Sequence, residues 1–318
     1  MSFIGIDLGA TEIKTGIVSK DGQIINKATA YTPIDGGVDA IVDSIDMLIT
    51  ELLKTDDKTM QPIRGIGIGI PGVCSNEGLV YYAPNLFWNN VPLGDLLREK
   101  TNLPVFVAND ATMAVLGEAT YGVAKGVSNC VLITLGTGIG GGIIINGDVY
   151  SGSHGIGSEI GHIIVGENFY NCNCGNNGCL ETFSSATALI KYTEKLLSDY
   201  DNSLISEKVS NDVKKLDAKL IFDCAKEGDF IANKAVDRLV KYLAIGTGNI
   251  INILDPGMVV IGGGISKAGN YLIDKLNKEV PKNIWLKSMN LTKIVSASLG
   301  NDAGIIGSVI YARSKLNL

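Results

Sequence analysis

The sequence has little that would suit it to a nucleic acid or to a membrane. Only four of its 318 residues are arginine, and the formal net charge is −6, whereas a nucleic-acid-binding domain presents a concentrated basic surface. The longest uncharged run, about residues 128–147, has a centre rich in glycine and threonine, LGTGIGGG. Two buried strands joined by a glycine loop explain this run better than a membrane helix does. We therefore expect neither nucleic acid nor membrane as a main partner.

The signals of secretion are lacking as well. We find no basic segment followed by an apolar stretch and a small-residue cleavage site, so we expect a cytoplasmic protein. Three of the six cysteines, Cys74, Cys130 and Cys224, are interpreted as buried core thiols, which suits a reducing compartment. The length predicts two domains, and a hydrophobic content of 46% is sufficient for their cores.

The other cysteines lie close together in one short stretch. Cys172, Cys174 and Cys179 follow His162, and one imidazole with three thiolates is a ligand set that zinc prefers. Buried or disulfide-bonded cysteines are the alternative, but the spacing favours zinc. Since four protein ligands leave no open position for water, we predict a structural zinc ion rather than a catalytic one.

The chain repeats one pattern of strands and turns. In each copy a strand leads through a glycine loop to a second strand, and a tight turn, DG at residues 21–22 or NG at 146–147, leads to a third. DG and NG between strands are strong hairpin signals, because both supply positive φ at little cost. The predicted strands are Phe3–Leu8, Ile13–Ser19 and Gln23–Ala30 in the first copy and Val131–Leu135, Gly142–Ile145 and Asp148–Tyr150 in the second.

Helices and further strands follow each copy of the repeat. Apolar residues at helical spacing predict a helix over residues 38–52 and a long helix through Val236 and Leu243 that must stop at Asp255–Pro256. The other predicted elements are strands Gly65–Ile70, Val105–Ala108 and Met258–Ile261 and helices Ala111–Thr120 and about Asp302–Lys315. Two α/β halves facing each other would make a cleft.

Three glycine-rich turns at strand ends are the candidate nucleotide site. The first joins Asp7, Gly9, Ala10 and Thr11, where backbone N–H groups and a hydroxyl suit phosphates and the Asp7 carboxylate suits Mg²⁺ through water. The second consists of Gly136, Thr137 and Gly138, and the third of Gly262, Gly263 and Gly264 ahead of a helix predicted from about Ser266. Each turn alone is as well explained by tight backbone geometry without a ligand. Their repeat relationship favours the nucleotide.

Polar residues near these turns are the candidates for the reaction. Asn109 and Asp110 end one predicted strand, where a carboxylate can accept the proton of a sugar hydroxyl that attacks the γ-phosphate. A helix N-cap is an equally good interpretation of Asp110. Glu159, His162 and Glu181 bracket the cysteine loop and would present acceptors and a donor to a polyol. We expect zinc loss to damage this sugar site more than the phosphate turns, which lie elsewhere in the sequence.

Taken together, these motifs resemble those of the ROK family of bacterial sugar kinases and sugar-responsive repressors, within the actin-like ATPase superfamily. The resemblance covers nearly the whole chain, and its most specific part is the run CNCGNNGCLE. The matching motifs are DLGAT at 7–11, GIPG at 69–72, APNLFW at 83–88, ND at 109–110, LGTGIGGG at 135–142, EIGH at 159–162, CNCGNNGCLE at 172–181 and IGGG at 261–264.

The resemblance implies a glucokinase-like hexose kinase of α/β fold. It implies two ribonuclease-H-like lobes with a mixed sheet each, a small lobe over residues 1–115, a larger lobe with the zinc site over residues 116–300, and a last helix over 301–318 that packs back on the first lobe. It also implies Asp110 as the base, Mg-ATP across the glycine turns, and a homodimer. The residues implied around the sugar are Asn85, Asn109, Asp110, Glu159, His162 and Glu181.

Two departures from the family pattern and two functional alternatives remain open. Ala10 stands where a glycine is more usual, and Glu12 places a negative charge near a phosphate turn. N-acetylmannosamine, fructose, allose and N-acetylglucosamine are alternative substrates to glucose, and polyphosphate is an alternative donor. A repressor or sugar sensor is the competing class, but it would have no use for both Asp7 and Asp110. Repressors of this family carry a helix-turn-helix domain ahead of the first strand, whereas here the phosphate hairpin begins by residue 3.

Overall fold

The computed structural model describes residues 2–54, 62–75, 77–199, 203–209, 212, 215–289 and 291–316. The chain divides into two compact units, each described here by itself. The first contains Met1–Gly126, Gly142–Gly157 and Ser298–Leu318, and the second contains Val127–Gly141 and Ser158–Ala297. These limits differ from the predicted lobes at residues 1–115 and 116–300, because residues 116–126 and 142–157 belong to the first unit.

The first unit is built on a five-stranded mixed sheet in the order β3-β2-β1-β4-β8. The strands β1 to β3 form an antiparallel meander, β4 pairs in parallel with β1, and β8 pairs in parallel with β4. Their bounds are β1 Ser2–Leu8, β2 Glu12–Val18, β3 Ile24–Tyr31, β4 Ile63–Ile70 and β8 Val105–Asn109. Each matches its predicted strand to within about two residues, and Gly22 in the DG turn has a φ of 79°.

Helices cover this sheet, and a small sheet lies at its edge. Helix α1 has an amphipathic pattern that buries Ile41, Ile45, Leu48 and Leu52 in the core of the unit. The helices are α1 Gly37–Leu53, α2 Leu93–Thr101, α3 Asp110–Thr120 and α10 Ala303–Lys315, and the small sheet consists of β5 Val73–Cys74, β6 Val80–Ala83 and β7 Trp88–Val91.

Helix α10 lies unusually close to β1, β4 and α3. A Cβ atom on Gly5 would clash with the carbonyl oxygen of Ile305, and one on Gly67 with the carbonyl oxygen of Ser308. Gly307 makes the same kind of contact against α3. Larger residues would force the helix away, so these glycines allow residues near the end of the chain to cover strands near its beginning.

A buried carboxylate fixes the segment that leads into α10. The side chain of Glu118 is fully buried. Its oxygens accept hydrogen bonds from the backbone N–H groups of Val123 (2.9 Å), Ser298 (2.8 Å) and Leu299 (2.7 Å) and from the Ser298 hydroxyl (3.0 Å). This number of partners compensates the cost of burying the charge.

The second sheet has the order β11-β10-β9-β12-β13. Strands β9, β12 and β13 are parallel, and β10 and β11 form a hairpin whose NG turn has positive φ at Asn146 and Gly147, as the sequence predicts. The unit boundary passes through β10 after Gly141. The bounds are β9 Cys130–Leu135, β10 Ile139–Ile145, β11 Asp148–Val149, β12 Met258–Gly262 and β13 Lys293–Ser296.

Among the residues that the structure describes, six helices belong to the second unit. The longest, α8, ends at Asp255, whose φ of 44° is left-handed, directly before Pro256. The bounds are α4 Glu181–Ser184, α5 Ala186–Leu197, α6 Leu204–Val209, α7 Ala218–Lys226, α8 Phe230–Leu254 and α9 Asn270–Glu279. Within the described part of the chain, no helix has the length and apolar character to cross a bilayer.

One predicted element is wrong in its position. The helix expected from about Ser266 begins only at Asn270, because residues Gly264–Ala268 form a 3₁₀ helix and Gly269 follows with a φ of 65°. The positive φ of Gly269 interrupts the helical backbone there. The helix N-terminus therefore does not follow directly on the triple-glycine turn.

Candidate functional site

The first glycine turn connects β1 to β2 in the first unit. It is closed by a hydrogen bond from the Gly9 N–H to the Glu12 carbonyl at 3.0 Å. Thr32, just after β3, donates its hydroxyl to the Gly9 carbonyl at 2.7 Å and its N–H to the Thr11 carbonyl at 3.0 Å. Ala10 is not among the described residues with positive φ, so an alanine fits this turn without strain.

The carboxylate of Asp7, at the end of β1, is paired with a lysine. Lys14 Nζ lies 3.4 Å from Asp7 Oδ2 and 3.7 Å from Glu12 Oε2. Burial raises the pKa of Asp7 above its usual value, and Lys14 opposes that shift. Asp7 and Glu12 therefore share Lys14 as an ion-pair partner. The positive charge of Lys14 offsets the negative charge of Glu12 beside the turn.

Asn109 and Asp110 lie at the junction of β8 and α3. Asn109 is the N-cap: its Oδ1 accepts from the N–H groups of Ala111 (2.9 Å) and Thr112 (3.2 Å), and its Nδ2 donates to the Gly72 carbonyl at 3.3 Å. Asp110 is the first helical residue, and its Oδ1 accepts from the Ala111 N–H at 2.8 Å. Helix capping is thus the role of Asn109 and not of Asp110. A chemical role for Asp110 stays a prediction.

Asn85 is the remaining candidate residue of the first unit, and Cys74, which was predicted to be a buried core thiol, lies only half-buried in β5. Asn85 is exposed in the 3₁₀ turn Pro84–Leu86 between β6 and β7, ahead of Phe87, whose φ is 57°. Burial, and then the nearby charge of Asp110, raises the pKa of Cys74 to about 12, so this thiol stays protonated and is no nucleophile.

The predicted zinc ligands come together in the second unit. The ligand atoms of His162, Cys172, Cys174 and Cys179 all lie within 4.8 Å of one another. The Cys174 and Cys179 sulfurs are 3.6 Å apart, and Cys172 Sγ is 3.7 Å from His162 Nδ1. A tetrahedral zinc ion with bonds of about 2.3 Å separates two sulfur ligands by about 3.8 Å. The four residues therefore fit zinc, with Nδ1 as the imidazole ligand.

Glu181, at the start of α4, touches both this cluster and the second glycine turn. Its Oε1 lies 2.9 Å from Cys172 Sγ. Its Oε2 lies 2.8 Å from the position that a Cβ atom on Gly138 would occupy. Nearby Glu159 has its pKa raised by desolvation, against the influence of His162. One carboxylate thus joins the cysteine cluster to a candidate phosphate turn.

The second glycine turn connects β9 to β10. The Gly136 N–H donates to the Gly138 carbonyl at 3.0 Å. From the start of α5, the Ala186 N–H donates to the Gly136 carbonyl at 2.8 Å, and the Thr187 hydroxyl donates to the Thr137 carbonyl at 2.8 Å. The segment that follows Glu181 therefore holds this turn, although the turn lies elsewhere in the sequence.

The third glycine turn ends β12. Gly263 has a φ of 79°, and a Cβ atom there would meet the Leu135 carbonyl oxygen at 2.5 Å, so only glycine fits. Beside it lies a cavity of about 170 Å³ with Phe222 and Ile265 among its lining residues. Its other lining residues are Ala218, Lys219, Asp223, Lys226, Gly264, Lys267 and Ala268. An apolar cavity with lysines at its edge suits adenosine next to phosphates.

Sequence reasoning missed two groups of residues around these turns. Thr32 and Thr187 carry no local pattern, since each hydroxyl bonds to a carbonyl 23 or 50 residues away. Phe222 and its lysine neighbours lie on α7, far in sequence from the triple-glycine turn. The strongest signal available for them was the amphipathic pattern of α7, which indicates packing rather than a ligand.

The whole chain is similar to known sugar kinases and sugar-responsive repressors. The chain is 39% identical to a glucokinase of Thermotoga maritima over 99% of this chain and 98% of that protein, and 33% identical to a xylose repressor of Caldicellulosiruptor bescii over 99% and 79%. It is similar in structure to a ROK family glucokinase from Streptomyces griseus in complex with glucose and AMPPNP, with a TM-score of 0.86, 30% identity and coverage of 99% and 100%. The family model described as ROK family matches residues 3–315, and the chain accordingly belongs to the ROK family.

Proposed function

We propose that this chain is an ATP-dependent glucokinase, which transfers the γ-phosphoryl group of ATP to a hydroxyl of glucose. The observation that carries the proposal is the position of Glu181, whose two carboxylate oxygens lie 2.9 Å from Cys172 Sγ and 2.8 Å from the place of a Cβ atom on Gly138. A carboxylate suited to sugar hydroxyls lies directly beside a turn suited to phosphates, as phosphoryl transfer to a sugar requires. The similarity to glucokinases supports glucose as the acceptor.

Asp110 is the proposed base. A carboxylate at the carboxyl end of β8 can orient the attacking hydroxyl and accept its proton as the phosphoryl group leaves ATP. Its hydrogen bond with the Ala111 N–H holds the carboxylate in a fixed orientation at the start of α3. The repressor alternative has no need for such a base.

The remaining sugar contacts are assigned by their hydrogen-bonding capacity. Asn109 uses one Nδ2 hydrogen for the Gly72 carbonyl, and its second is available to a sugar hydroxyl. Glu159 and Glu181 accept from hydroxyls. If His162 holds zinc through Nδ1, its Nε2 carries the proton and donates. Asn85, exposed in its turn, supplies a further amide.

The two proposed metal ions, zinc and Mg²⁺, have different roles. His162, Cys172, Cys174 and Cys179 would hold a zinc ion that fixes the shape of the loop carrying Glu181, and four ligands leave it no catalytic position. Asp7 would orient water on the Mg²⁺ of Mg-ATP, and the positive charge of that ion favours the ionised form of its carboxylate. A homodimer in the cytoplasm remains our prediction for assembly and location.

A coupled assay of ADP release tests the proposal. Glucose, mannose, fructose, allose, N-acetylmannosamine and N-acetylglucosamine are compared with ATP, and glucose is then tested with polyphosphate as the donor. We expect the highest kcat/KM for glucose with ATP. No phosphoryl transfer to any sugar, together with tight sugar binding by calorimetry, would favour the sensor alternative.

A further inference from the structure

Both hairpin glycine turns are restrained from outside by the same two kinds of donor, although the donors bond to different carbonyls of the turn. In each, two carbonyl oxygens accept hydrogen bonds from a neighbouring segment, one from a backbone N–H and one from a threonine hydroxyl. In the first unit Thr32 supplies both donors. In the second unit Ala186 supplies the N–H and Thr187 the hydroxyl.

These bonds fix the direction of the amide groups that the turns offer to phosphates. In a planar trans peptide the carbonyl points opposite to the N–H of the next residue. The described peptide bonds are all trans. The Thr32 hydroxyl on the Gly9 carbonyl therefore sets the direction of the Ala10 N–H, and the Thr187 hydroxyl on the Thr137 carbonyl sets that of the Gly138 N–H.

Without such restraints a turn peptide can rotate and present its oxygen to a phosphate, which repels it. A left-handed glycine is not what prevents this rotation, because none of the described residues with positive φ lies in either turn. A peptide held with its N–H outward binds an anion without reorganisation, which is the advantage of a preorganised site.

The two restraints are not a simple consequence of the internal repeat. Thr32 follows the third strand of the first meander, whereas Thr187 lies at the start of α5. The Thr187 hydroxyl is not needed to cap that helix, since Ser185 Oγ already accepts from the Ala188 N–H at 3.1 Å. Different elements thus deliver the same chemical group to equivalent turns.

We infer that Thr32 and Thr187 are positioning residues for the ATP phosphates, each acting through the peptide group that its hydroxyl holds. The inference rests on the proposed function, and it assigns residues to nucleotide binding that lie outside the glycine motifs. Their hydroxyls restrain the turns and do not contact the nucleotide themselves.

Valine substitution removes each hydroxyl and keeps the side-chain shape. For Thr32→Val and Thr187→Val we expect the KM for ATP and the Kd for AMPPNP to rise about 3- to 10-fold, the size of one lost hydrogen bond. The double variant should approach the product of the two factors. AMP lacks the β and γ phosphates, so its Kd should stay unchanged, as should the KM for glucose. Thr32→Ser and Thr187→Ser should restore ATP binding.

Matched controls are Thr120→Val and Thr193→Val, whose hydroxyls bond to carbonyls four residues earlier within α3 and α5. They should leave AMPPNP binding unchanged. The inference would be overturned if the valine variants bound AMPPNP and AMP equally more weakly, or if they bound AMPPNP as tightly as the wild type. It would also be overturned if the serine variants bound AMPPNP as weakly as the valine variants. If valine prevents folding, alanine variants are judged by the same criteria. A wild-type protein that binds AMPPNP but transfers no phosphoryl group would refute the proposed function alone, since calorimetry still tests the two threonines.

Discussion

The first and second glycine turns have the same support but different charged neighbours. Both are restrained by a threonine hydroxyl and a backbone N–H. The first follows Asp7, which is paired with Lys14, whereas the second has Glu181 of the cysteine loop against Gly138. The shared part is the backbone geometry that suits a phosphate. The charged neighbours differ because the two units have different proposed roles. The first unit carries the proposed base and magnesium ligand, and the second carries the proposed sugar carboxylates and zinc.

The sharpest test of this division of tasks is Asp110→Asn in the first unit. The amide still accepts from the Ala111 N–H, so α3 keeps its first turn, but the basic site is lost. We expect kcat to fall about 10²- to 10⁴-fold, with glucose binding retained in calorimetry. Asp95→Asn, on the exposed face of α2, serves as a control. A kcat close to that of the wild type would remove Asp110 from the mechanism.

The next largest effect is expected for His162→Gln in the second unit. Glutamine can donate an N–H to a sugar but is a poor zinc ligand, so zinc content should fall and the glucose KM should rise about 10- to 100-fold. The ATP KM should rise less, through the segment that links Glu181 to Thr187. His154→Gln is the matched control. Full zinc content with an unchanged glucose KM would show that His162 has no such role.

Gly138→Ala tests whether Glu181 depends on the second turn. The added methyl group would lie 2.8 Å from Glu181 Oε2, so the carboxylate must move, and a misplaced substrate ligand can cost about tenfold or more. We expect the glucose KM to rise. In the first turn the reverse change, Ala10→Gly, should only lower the free energy of unfolding by about 0.4–1 kcal/mol. Equal glucose KM values for the two variants would contradict this contrast.

The smallest effect is the influence of Asp7 on stability. Its pKa is raised by burial, so below about pH 3 the carboxyl is protonated in both the folded and unfolded chain. As the pH rises, the unfolded chain loses the proton first, and the wild type loses stability until folded Asp7 has ionised as well. Asp7→Asn should therefore melt at a higher temperature than the wild type at pH 8, with the difference shrinking toward acid pH. Asp21→Asn, in an exposed turn, controls for charge; a lower melting temperature for Asp7→Asn at pH 8 would contradict the reasoning.

Local chemistry made much of the fold and site predictable. The DG and NG turns fixed two hairpins because few residues tolerate positive φ, and CNCGNNGC indicated a metal cluster because soft ligands at that spacing have few other uses. The sequence did not show that Asn109 rather than Asp110 caps α3, since either residue type can do so. It also did not show the restraints from Thr32 and Thr187, which depend on tertiary contacts that leave no periodic pattern.

The contact of α10 with β1 and β4 has a consequence for how the protein forms during synthesis. The apolar side of the first sheet includes Phe3, and it is covered by Ile305 and Val309 of α10. At translation rates of about 5–20 residues per second, about 15–60 s separate the appearance of β1 from that of α10. Over that interval one face of the first sheet stays uncovered. A nascent chain should therefore need protection from aggregation at its beginning until its last helix arrives.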